Sequence, residues 1–513
     1  MTLTESLFDE GPPPHCPAPF NMAAHALWAG QPADKVALLV ADGDGAARER
    51  WTYGALRDAV ARTAGGLVSA GLAPGGRVML RMGNRSDFPI LFLGVAAAGG
   101  VAAPTSAMLS EREAAYVAAD LGARFVCVDD DLRFDAGGAT TLGPADVAAL
   151  RAAEPLTPRE TAPDDPAFVV YTSGSSGTPK GVLHAHRAIW ARRMMWRGWY
   201  GLGPEDVMLH AGAFNWTYTL GAGLQDPWGA GATTVIYGGP RDPGVWSRLA
   251  AASGATIFAA TPGVIRQLLK YGEGVAEGMR GLRHAITAGE KIAPSLAAAW
   301  SAETGKPIYE ALGMSEVSTY VSFSPECAPV SGRVGRPQPG RRIAVLAQGT
   351  DRPVPLGETG ELAVSRRDPG LMLGYWGAKE ATEAAFRGEW FVTGDLAEMA
   401  ADGTIAHRGR ADDMMNAGGY RVAPQEVEDA LLAHPAVTEA AAVEARLRDD
   451  LSIVAAYVVA EGASAAELEA WLAERLAAYK RPKRITLVDS LPRTATGKLR
   501  RRALAEQASD ADA

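Results

Sequence analysis

Apolar and polar residues alternate along this chain in blocks that predict helices and strands in turn. Between residues 51 and 70 the apolar positions recur at helical spacing, and Gly71 marks the end of the helix. The runs Arg77–Arg81 and Phe125–Val128 predict strands, with a buried helix at 90–99 between them. This alternation favours a mostly parallel sheet covered by helices.

The alternation of strands and helices resumes after residue 181, and the pattern changes at two later points. A helix is predicted over 185–199, and strands are predicted at 233–237, 256–260 and 284–288. From residue 341 short strands with turns dominate, and a charged break follows at 409–413. We therefore predict an N-terminal domain over 1–408, a hinge at 409–413 and a C-terminal domain over 414–513.

Composition and charge narrow the function classes. A chain of 513 residues exceeds the size of one core, and a net charge of −9 argues against nucleic acid or an anionic membrane as the main partner. The three cysteines, Cys16, Cys127 and Cys327, are far apart and form neither a disulfide framework nor a zinc spacing. No uncharged apolar run is long enough to span a bilayer. We expect a cytoplasmic protein.

One glycine- and hydroxyl-rich segment follows an apolar strand and ends in a lysine. Such a segment can wrap phosphate oxygens with backbone N–H groups, hydroxyls and one cation. It is not a P-loop, because Lys180 follows Pro179 and precedes Gly181. Taken alone, a polar surface turn remains an alternative. The segment comprises Thr172, Ser173, Gly174, Ser175, Ser176, Gly177, Thr178 and Lys180.

Two further segments follow apolar strand-like runs, and both place polar groups where strands end. Gly289 and Glu290 follow one run, and Glu316 follows another. The carboxyl ends of parallel strands face one crevice, so we expect these loops to converge with the phosphate segment. Glu316 is then placed to hold Mg²⁺ on a triphosphate, the alternative being an acid at a helix N-terminus.

Asp395 ends the apolar run 390–394 and is a candidate acceptor for ribose hydroxyls, with Arg410 as a candidate neighbour. A turn aspartate and a solvated linker charge are the alternatives for these two residues. Further along, the paired glycines Gly418 and Gly419 suit close passage of a slender ligand, or simply a hairpin turn.

A lysine and an aromatic segment complete the candidate chemistry. Lys498 lies in a small-residue loop suited to transient charge stabilisation, unless it is an ordinary exposed tail lysine. Phe214, Trp216 and Tyr218 form a glycine-punctuated aromatic stretch. Such stretches more often pack in a core, but this one could also shape a slot for a flat or short apolar acid.

The ordered set of these motifs, over about residues 20–503, resembles the adenylate-forming superfamily of acyl- and aryl-CoA synthetases, peptide-synthetase adenylation domains and beetle luciferases. The resemblance implies an α/β fold: a large N-terminal domain of αβ-layered parallel sheets plus a small β-barrel part, and a small mobile α+β C-terminal domain. Within the superfamily the chain looks most like medium-chain and benzoate-type ligases.

The resemblance also implies roles for individual residues. The 172–180 segment corresponds to the ATP phosphate loop, and Lys498 to the adenylation lysine, with Lys180 and Glu316 as further catalytic residues. Asp412 corresponds to the hinge. The other implied ATP/AMP contacts are Gly289, Glu290, Tyr309, Glu310, Ala311, Ser315, Asp395 and Arg410. The implied CoA contacts are Gly418, Gly419, Tyr420 and Arg421, and the expected acyl pocket is Phe214, Trp216, Tyr218, Ala288, Gly313 and Met314.

The activity implied is an ATP-dependent acid–CoA ligase that uses Mg²⁺. A carboxylate and ATP would give acyl-AMP and pyrophosphate, and CoA would then give acyl-CoA and AMP. The acid is expected to be medium-chain or benzoate-like. Two alternatives stay open: an adenylate-forming enzyme that loads another acceptor such as a carrier protein, and a non-catalytic nucleotide-binding member. A homodimer is also left open.

Overall fold

The structure is a computed structural model, and it describes residues 3–173, 179–215, 217–240, 242–411, 413, 415–417, 420–448, 451–478, 480–493 and 499–510. Strands and helices alternate in its first part. The strands are β1 (Leu7–Asp9), β2 (Val36–Ala41), β3 (Ala47–Thr52), β4 (Arg77–Arg81), β5 (Val101–Pro104), β6 (Phe125–Val128), β7 (Thr140–Leu142), β8 (Pro166–Ser173) and β9 (Pro179–Ala185). The helices are α1 (Met22–Leu27), α2 (Tyr53–Ser69), α3 (Asp87–Ala97), α4 (Glu111–Leu121) and α5 (Pro144–Leu150).

Local sequence signals explain several of these boundaries. Helix α2 begins after Thr52, whose hydroxyl accepts from the backbone N–H of Ala55. Helix α4 begins with a capping box formed by Ser110 and Glu113, and it ends at Gly122 in the left-handed conformation.

The middle of the chain continues the alternation. Its strands are β10 (Val207–His210), β11 (Thr233–Tyr237), β12 (Ile257–Ala259), β13 (His284–Ala288), β14 (Ile308–Met314), β15 (Ser318–Ser322) and β16 (Arg336–Pro337). Its helices are α6 (Arg187–Ala191), α7 (Arg193–Met195), α8 (Thr217–Leu220), α9 (Asp226–Gly229), α10 (Val245–Ser253), α11 (Pro262–Tyr271), α12 (Val275–Gly278) and α13 (Pro294–Thr304).

The single helix predicted over 185–199 is wrong. The chain stays in β9 up to Ala185, then forms the short helices α6 and α7 and a π-helical turn at Trp196–Tyr200. A second π-helical turn, Gly221–Gln225, follows α8. The prediction assumes one α-helical period over the whole region. The π-helical turns are wider and interrupt that period.

Two layered sheets form the body of the protein. In the large sheet the order is β16-β15-β14-β13-β12-β10-β11-β2-β3, and the strands from β14 to β2 are parallel. In the second sheet the order is β19-β9-β8-β5-β4-β6-β7, where β19 is Gly374–Tyr375. The main core lies between the sheets, where α2 and α3 pack side chains such as Leu56 and Phe92 against both.

A third, antiparallel sheet follows in the chain. It contains β17 (Arg342–Leu346), β18 (Gly360–Ser365), β20 (Phe386–Arg387), β21 (Trp390–Met399) and β22 (Ile405–Arg410), with β1 at one edge and helix α14 (Lys379–Ala384) nearby. Its order is β1-β17-β18-β21-β20, and β22 also pairs with β21. Across the described residues these pairings do not close, so the expected small β-barrel part is an open antiparallel sheet.

The last part of the chain builds its own small α+β unit, here called the cap (residues 415–510). It contains β23 (Met415–Ala417), β24 (Tyr420–Val422), β25 (Val437–Arg448), β26 (Leu451–Ala460) and β27 (Arg484–Leu487), with helices α15 (Pro424–Leu432), α16 (Ala465–Ala473) and α17 (Arg501–Asp510). Its two apolar clusters include Val427 and Leu468 in one and Leu504 in the other. None of the helices in the described part of either unit has the length and apolar character that a bilayer crossing requires.

Candidate active site

The phosphate segment joins two strands that pair with each other. Strands β8 and β9 pair antiparallel, with Thr172 opposite Lys180 and Ser173 opposite Pro179. This differs from a strand-to-helix phosphate loop, and it fixes the backbone of Lys180 within a sheet. Gly174, Ser175, Ser176, Gly177 and Thr178 lie outside the described residues, as does the side chain of Ser173.

Tyr375 links the hairpin to the predicted magnesium ligand. Strand β19 pairs with β9, which sets Tyr375 opposite Val182. The Nζ of Lys180 lies 5.7 Å from the centre of the Tyr375 ring, and the Tyr375 hydroxyl donates to Oε1 of Glu316 at 2.9 Å. Burial and the neighbouring Glu316 raise the pKa of Tyr375, so its hydroxyl stays protonated and remains a donor.

The Glu316 loop is shaped by a tight turn between β14 and β15. A Cβ on Gly313 would lie 2.6 Å from the carbonyl oxygen of Ser318, so only glycine fits there. Ser318 itself has a positive φ of 70°. The backbone carbonyl of Glu316 accepts from the N–H of Met372 at 2.8 Å, which ties this loop to the chain that enters β19.

Asp395 and Arg410 face each other on the antiparallel sheet. They are opposite residues on β21 and β22, and Oδ1 of Asp395 lies 3.5 Å from Nη1 of Arg410 and 3.3 Å from Nε2 of His407. Burial alone would raise the pKa of Asp395, but His407 and Arg410 bring the pKa below its ordinary value. Gly394 makes room for this pair, because a Cβ there would lie 2.7 Å from Nη2 of Arg410.

A buried tyrosine connects these two halves. Burial raises the pKa of Tyr320, and the carboxylates of Asp395 and Glu316 raise it further. Both carboxylates are therefore close enough to Tyr320 to act on it electrostatically. Lys180, Glu316, Asp395 and Arg410 thus lie around two tyrosines, Tyr375 and Tyr320, although they come from two sheets and from the turn between β14 and β15.

The predicted adenine-side residues divide between two faces of the large sheet. Gly289 has a φ of 95° at the turn after β13. Tyr309 and Ala311 share an apolar cluster with Ala288. Glu310 points to the opposite face, where its Oε1 accepts from the backbone N–H of Ile292 at 3.0 Å, and burial raises its pKa to about 7. The Glu310 carboxyl therefore holds the backbone of the loop that follows β13.

Glu290 makes a contact that the sequence did not suggest. Its Oε2 lies 2.8 Å from Nη1 of Arg493, which belongs to the cap. Ser315, in turn, accepts through its backbone carbonyl from His184, with its oxygen 2.8 Å from Nε2.

The predicted acyl-pocket residues do not all lie together. Tyr218 and Ala288 are members of one cluster, in which Tyr218 stacks on Trp199 with ring centroids 5.6 Å apart. Phe214 instead packs against Phe88 at 5.3 Å in the core between the sheets, and Met314 packs on the antiparallel-sheet core. Trp216 lies outside the described residues.

Several predicted residues are beyond structural description. Asp412, Gly418, Gly419 and Lys498 lie outside the described residues, as do the side chains of Tyr420 and Arg421. The roles predicted for them remain predictions.

Residues that sequence reasoning missed are Tyr375, Tyr320, His407 and Arg493. Tyr375, Tyr320 and His407 are ordinary aromatic or basic residues within strands, and their local sequence gives no sign of a phosphate or carboxylate nearby. Arg493 stands in the same small-residue loop as Lys498, which was the one available hint.

Together, the layered α/β body, the phosphate hairpin and the convergent acid and basic groups define a nucleotide-using enzyme with a small second unit. The chain belongs to the AMP-binding enzyme family: the family model for the AMP-binding enzyme matches residues 25–376, and that for the AMP-binding enzyme C-terminal domain matches residues 426–498.

Curated relatives and a solved structure agree with this assignment. The chain is 34% identical to the benzoate–CoA ligase of Thauera aromatica, over 88% of this chain and 90% of that protein. It is 30% identical to the 3-hydroxybenzoate–CoA ligase of Aromatoleum sp. (strain CIB), over 89% and 91%. A crystal structure of a benzoate CoA ligase from Burkholderia xenovorans LB400 superposes with a TM-score of 0.85 at 29% identity, covering 95% of this chain and 100% of that one. The predicted superfamily is confirmed, and the protein is an AMP-forming acid–CoA ligase.

Proposed function

We propose that the acid substrate of this ligase is an aromatic acid of benzoate size. The observation that carries the proposal is the cluster at the carboxyl ends of β13 and β14. There the small side chains of Ala288 and Ala311 lie in one apolar cluster with the rings of Tyr218 and Trp199. Small residues beside flat aromatic rings are the kind of lining that a flat ligand requires. The benzoate and hydroxybenzoate ligases among the relatives support the same class.

The far side of this cluster argues against a medium-chain acid. Behind Tyr218 and Trp199 lies Tyr200, whose hydroxyl accepts from Nη2 of Arg192 at 3.1 Å and donates to Asp226 at 2.8 Å. An alkyl chain that continued in this direction would meet a buried ion pair. Packing is also tight, since a Cβ on Gly221 would lie 1.7 Å from Nη2 of Arg192.

A small cavity lies beside Thr217, the residue before Tyr218. It has a volume of about 20 Å³ and is lined by Phe168, His184, Ala188, Arg192, Thr217, Leu220, Gln225, Val317, Ser318 and Gly370. That volume is enough for one water-sized group. A ring hydroxyl directed here would find polar partners, so hydroxybenzoates belong in the substrate panel beside benzoate.

The other residues receive roles that follow from their positions. Lys180 and the phosphate segment bind the ATP phosphates, and Asp395 with Arg410 binds the ribose. Glu316 would hold a magnesium ion, which neutralises charge on phosphate oxygens when bound; a single carboxylate suits this ion, which takes most of its other ligands from phosphate and water. Tyr375 keeps the Glu316 carboxylate in place through its hydroxyl.

The reaction runs in two steps. The acid carboxylate attacks the α-phosphorus of ATP, pyrophosphate leaves, and Lys498 stabilises the charge that develops on the phosphate oxygens. The cap then turns about Asp412, which exchanges Lys498 for the segment Gly418–Arg421, and the CoA thiolate attacks the acyl carbonyl with loss of AMP. The enzyme contributes positioning and charge neutralisation and forms no covalent intermediate.

The test is an acid panel read in two ways. Pyrophosphate release without CoA reports acyl-AMP formation, and thioester formation with CoA reports the complete reaction, each as kcat/KM for benzoate, 3- and 4-hydroxybenzoate, octanoate and acetate. We expect an aryl acid to exceed octanoate by at least about tenfold, a difference of roughly 1.4 kcal/mol in transition-state binding. A higher value for octanoate would contradict the aromatic assignment. Product that forms only with a carrier protein in place of CoA would support the alternative acceptor.

A further inference from the structure

Two cap residues, Arg493 and Glu439, join the cap to the body through Glu290 and Arg266. Its Nη1 lies 2.8 Å from Oε2 of Glu290 in the body, and its Nη2 lies 2.8 Å from Oε2 of Glu439 in the cap. Glu439 is held in turn by Arg266 of the body, with Nη1 of the arginine 3.1 Å from Oε1. The planar guanidinium can meet both carboxylates at once because its donors diverge in a fixed plane.

Arg493 shortly precedes Lys498 in the chain, so its contact with Glu290 bears on where that lysine lies. Arg493 pairs with Leu499 in an isolated antiparallel bridge, and the N–H of Arg500 donates to the carbonyl of Pro492 at 2.9 Å. Arg493 and Leu499, here called the base of the Lys498 segment, therefore lie side by side. Lys498 is bonded directly to Leu499, and consecutive Cα atoms are about 3.8 Å apart, so the place of the base limits where the Lys498 backbone can lie.

The base is fixed at the nucleotide end of the body. Glu290 directly follows Gly289 at the turn after β13, next to the strand that leads to Glu316. The Arg493 side chain is 28% exposed, and the carboxylates of Glu290 and Glu439 raise its pKa although burial opposes this. The guanidinium therefore keeps its charge at any pH the enzyme meets.

We propose that Arg493 is a positioning residue for adenylation: by bridging Glu290 and Glu439, it holds the base of the Lys498 segment over the nucleotide turn, and the bridge to Glu290 opens when the cap turns for thioester formation. The proposal rests on the two-step reaction described above. Arg493 acts through the segment that it anchors and need not touch a substrate. Because its partners are incompletely buried, the bridge can break and form again at modest cost.

The experiment measures the two half-reactions separately in the full-length enzyme. Arg493→Gln should lower the rate of pyrophosphate release by about tenfold or more, because Lys498 loses its fixed position. The rate of thioester formation from preformed acyl-AMP should stay the same or rise. Glu439→Gln should shift the two rates in the same direction by a smaller factor, and Arg493→Lys should recover part of the loss because it keeps the charge.

A matched control comes from the same seam between body and cap. Lys291 of the body pairs with Asp429 of the cap, with Nζ 2.8 Å from both carboxylate oxygens, and Asp429 lies on α15, far in sequence from Arg493. Asp429→Asn should leave the ratio of the two half-reactions unchanged. Lys498→Ala gives the reference for full loss of adenylation, expected to be about a hundredfold or more.

The outcomes separate this proposal from the proposed function. If Arg493→Gln slowed both half-reactions equally, or changed neither, Arg493 would have no positioning role, while the ligase assignment would stand. If Asp429→Asn slowed pyrophosphate release and spared thioester formation in the same way, docking of the cap in general would be responsible and the proposal would fail. A wild-type enzyme that released no pyrophosphate with any acid would instead refute the proposed function itself.

Discussion

The interior of the body and the seam between body and cap use ion pairs in opposite ways. In the body, Arg192 and Asp226 are 6% and 1% exposed, and the guanidinium also donates to Ser318 and Tyr200. In the seam, Lys291 and Asp429 are 24% and 40% exposed. Buried charges need complete partners and hold one arrangement, whereas hydrated pairs contribute little and can separate.

This difference fits the proposed two-step reaction, in which the body stays fixed and the cap changes position. The interior pair ties together the two π-helical turns, the acyl-side cluster and the turn that carries Ser318, none of which needs to move. At the seam, the contacts between Arg493, Glu290, Glu439 and Arg266 are charged. A large apolar interface would bind the cap too firmly for two alternating arrangements.

The largest expected effect is the loss of the interior pair. Asp226→Asn keeps the shape of the side chain but leaves the Arg192 charge without its buried partner, and it should lower the free energy of unfolding of the body by about 3–5 kcal/mol. The measurement is the first unfolding transition in calorimetry or urea. Asp368→Asn tests a second interior pair, because Asp368 lies 2.6 Å from fully buried Arg341. This variant should lose a similar amount of unfolding free energy. A loss below about 1 kcal/mol for both would remove the contrast with the seam.

The next effect is a pH dependence at the loop that carries Glu290. Burial raises the pKa of Glu310 to about 7 from an ordinary value of 4.5. The folded state therefore favours the protonated carboxyl, so the stability that it contributes is complete below pH 4.5 and is lost as the pH rises through 7. Glu310→Gln retains the acceptor for Ile292 but does not titrate. Between pH 4.5 and 8 the stability of the wild type relative to this variant should fall by about 3 kcal/mol.

Denaturation midpoints of wild type and Glu310→Gln at several pH values provide the check for that effect. A stability difference between the two proteins that stays constant with pH would show that the Glu310 carboxyl titrates at its ordinary value and is better hydrated than its burial implies.

The smallest effect is expected from the seam control. Asp429→Asn removes a partly hydrated pair, so the free energy of unfolding should change by no more than about 1 kcal/mol, and less at high salt. The comparison with Asp226→Asn should be made at the same ionic strength. A loss as large as that of the interior variant would mean that the seam is a rigid interface.

Much of the candidate site could be predicted from local sequence. The glycine and hydroxyl segment before Lys180, the acid at Glu316 and the Asp395–Arg410 pair were all found as short motifs, and the structure brings their described members into one cluster. Motifs of this kind are visible because glycine, proline and clustered hydroxyls have strong local backbone consequences.

Other features could not be predicted because they depend on contacts between distant strands. The phosphate segment joins β8 to β9, and the pairing of these two strands depends on such contacts. An apolar strand followed by short helices also has the same pattern as one long helix. Phe214 is close to Tyr218 in sequence, which favours a common place in the acyl pocket, but its ring packs in the core beside Phe88.

By itself the sequence determined the alternation of strands and helices, the family and the order of the nucleotide motifs, because each of these is written in patterns a few residues long. Only the tertiary structure decided that Tyr375 bridges Lys180 and Glu316, and that Arg493 reaches Glu290 from a separate unit. The physical reason is that hydrogen bonds and ion pairs between residues far apart in the chain depend on which strands lie side by side, and strand order is set by the packing of the whole core.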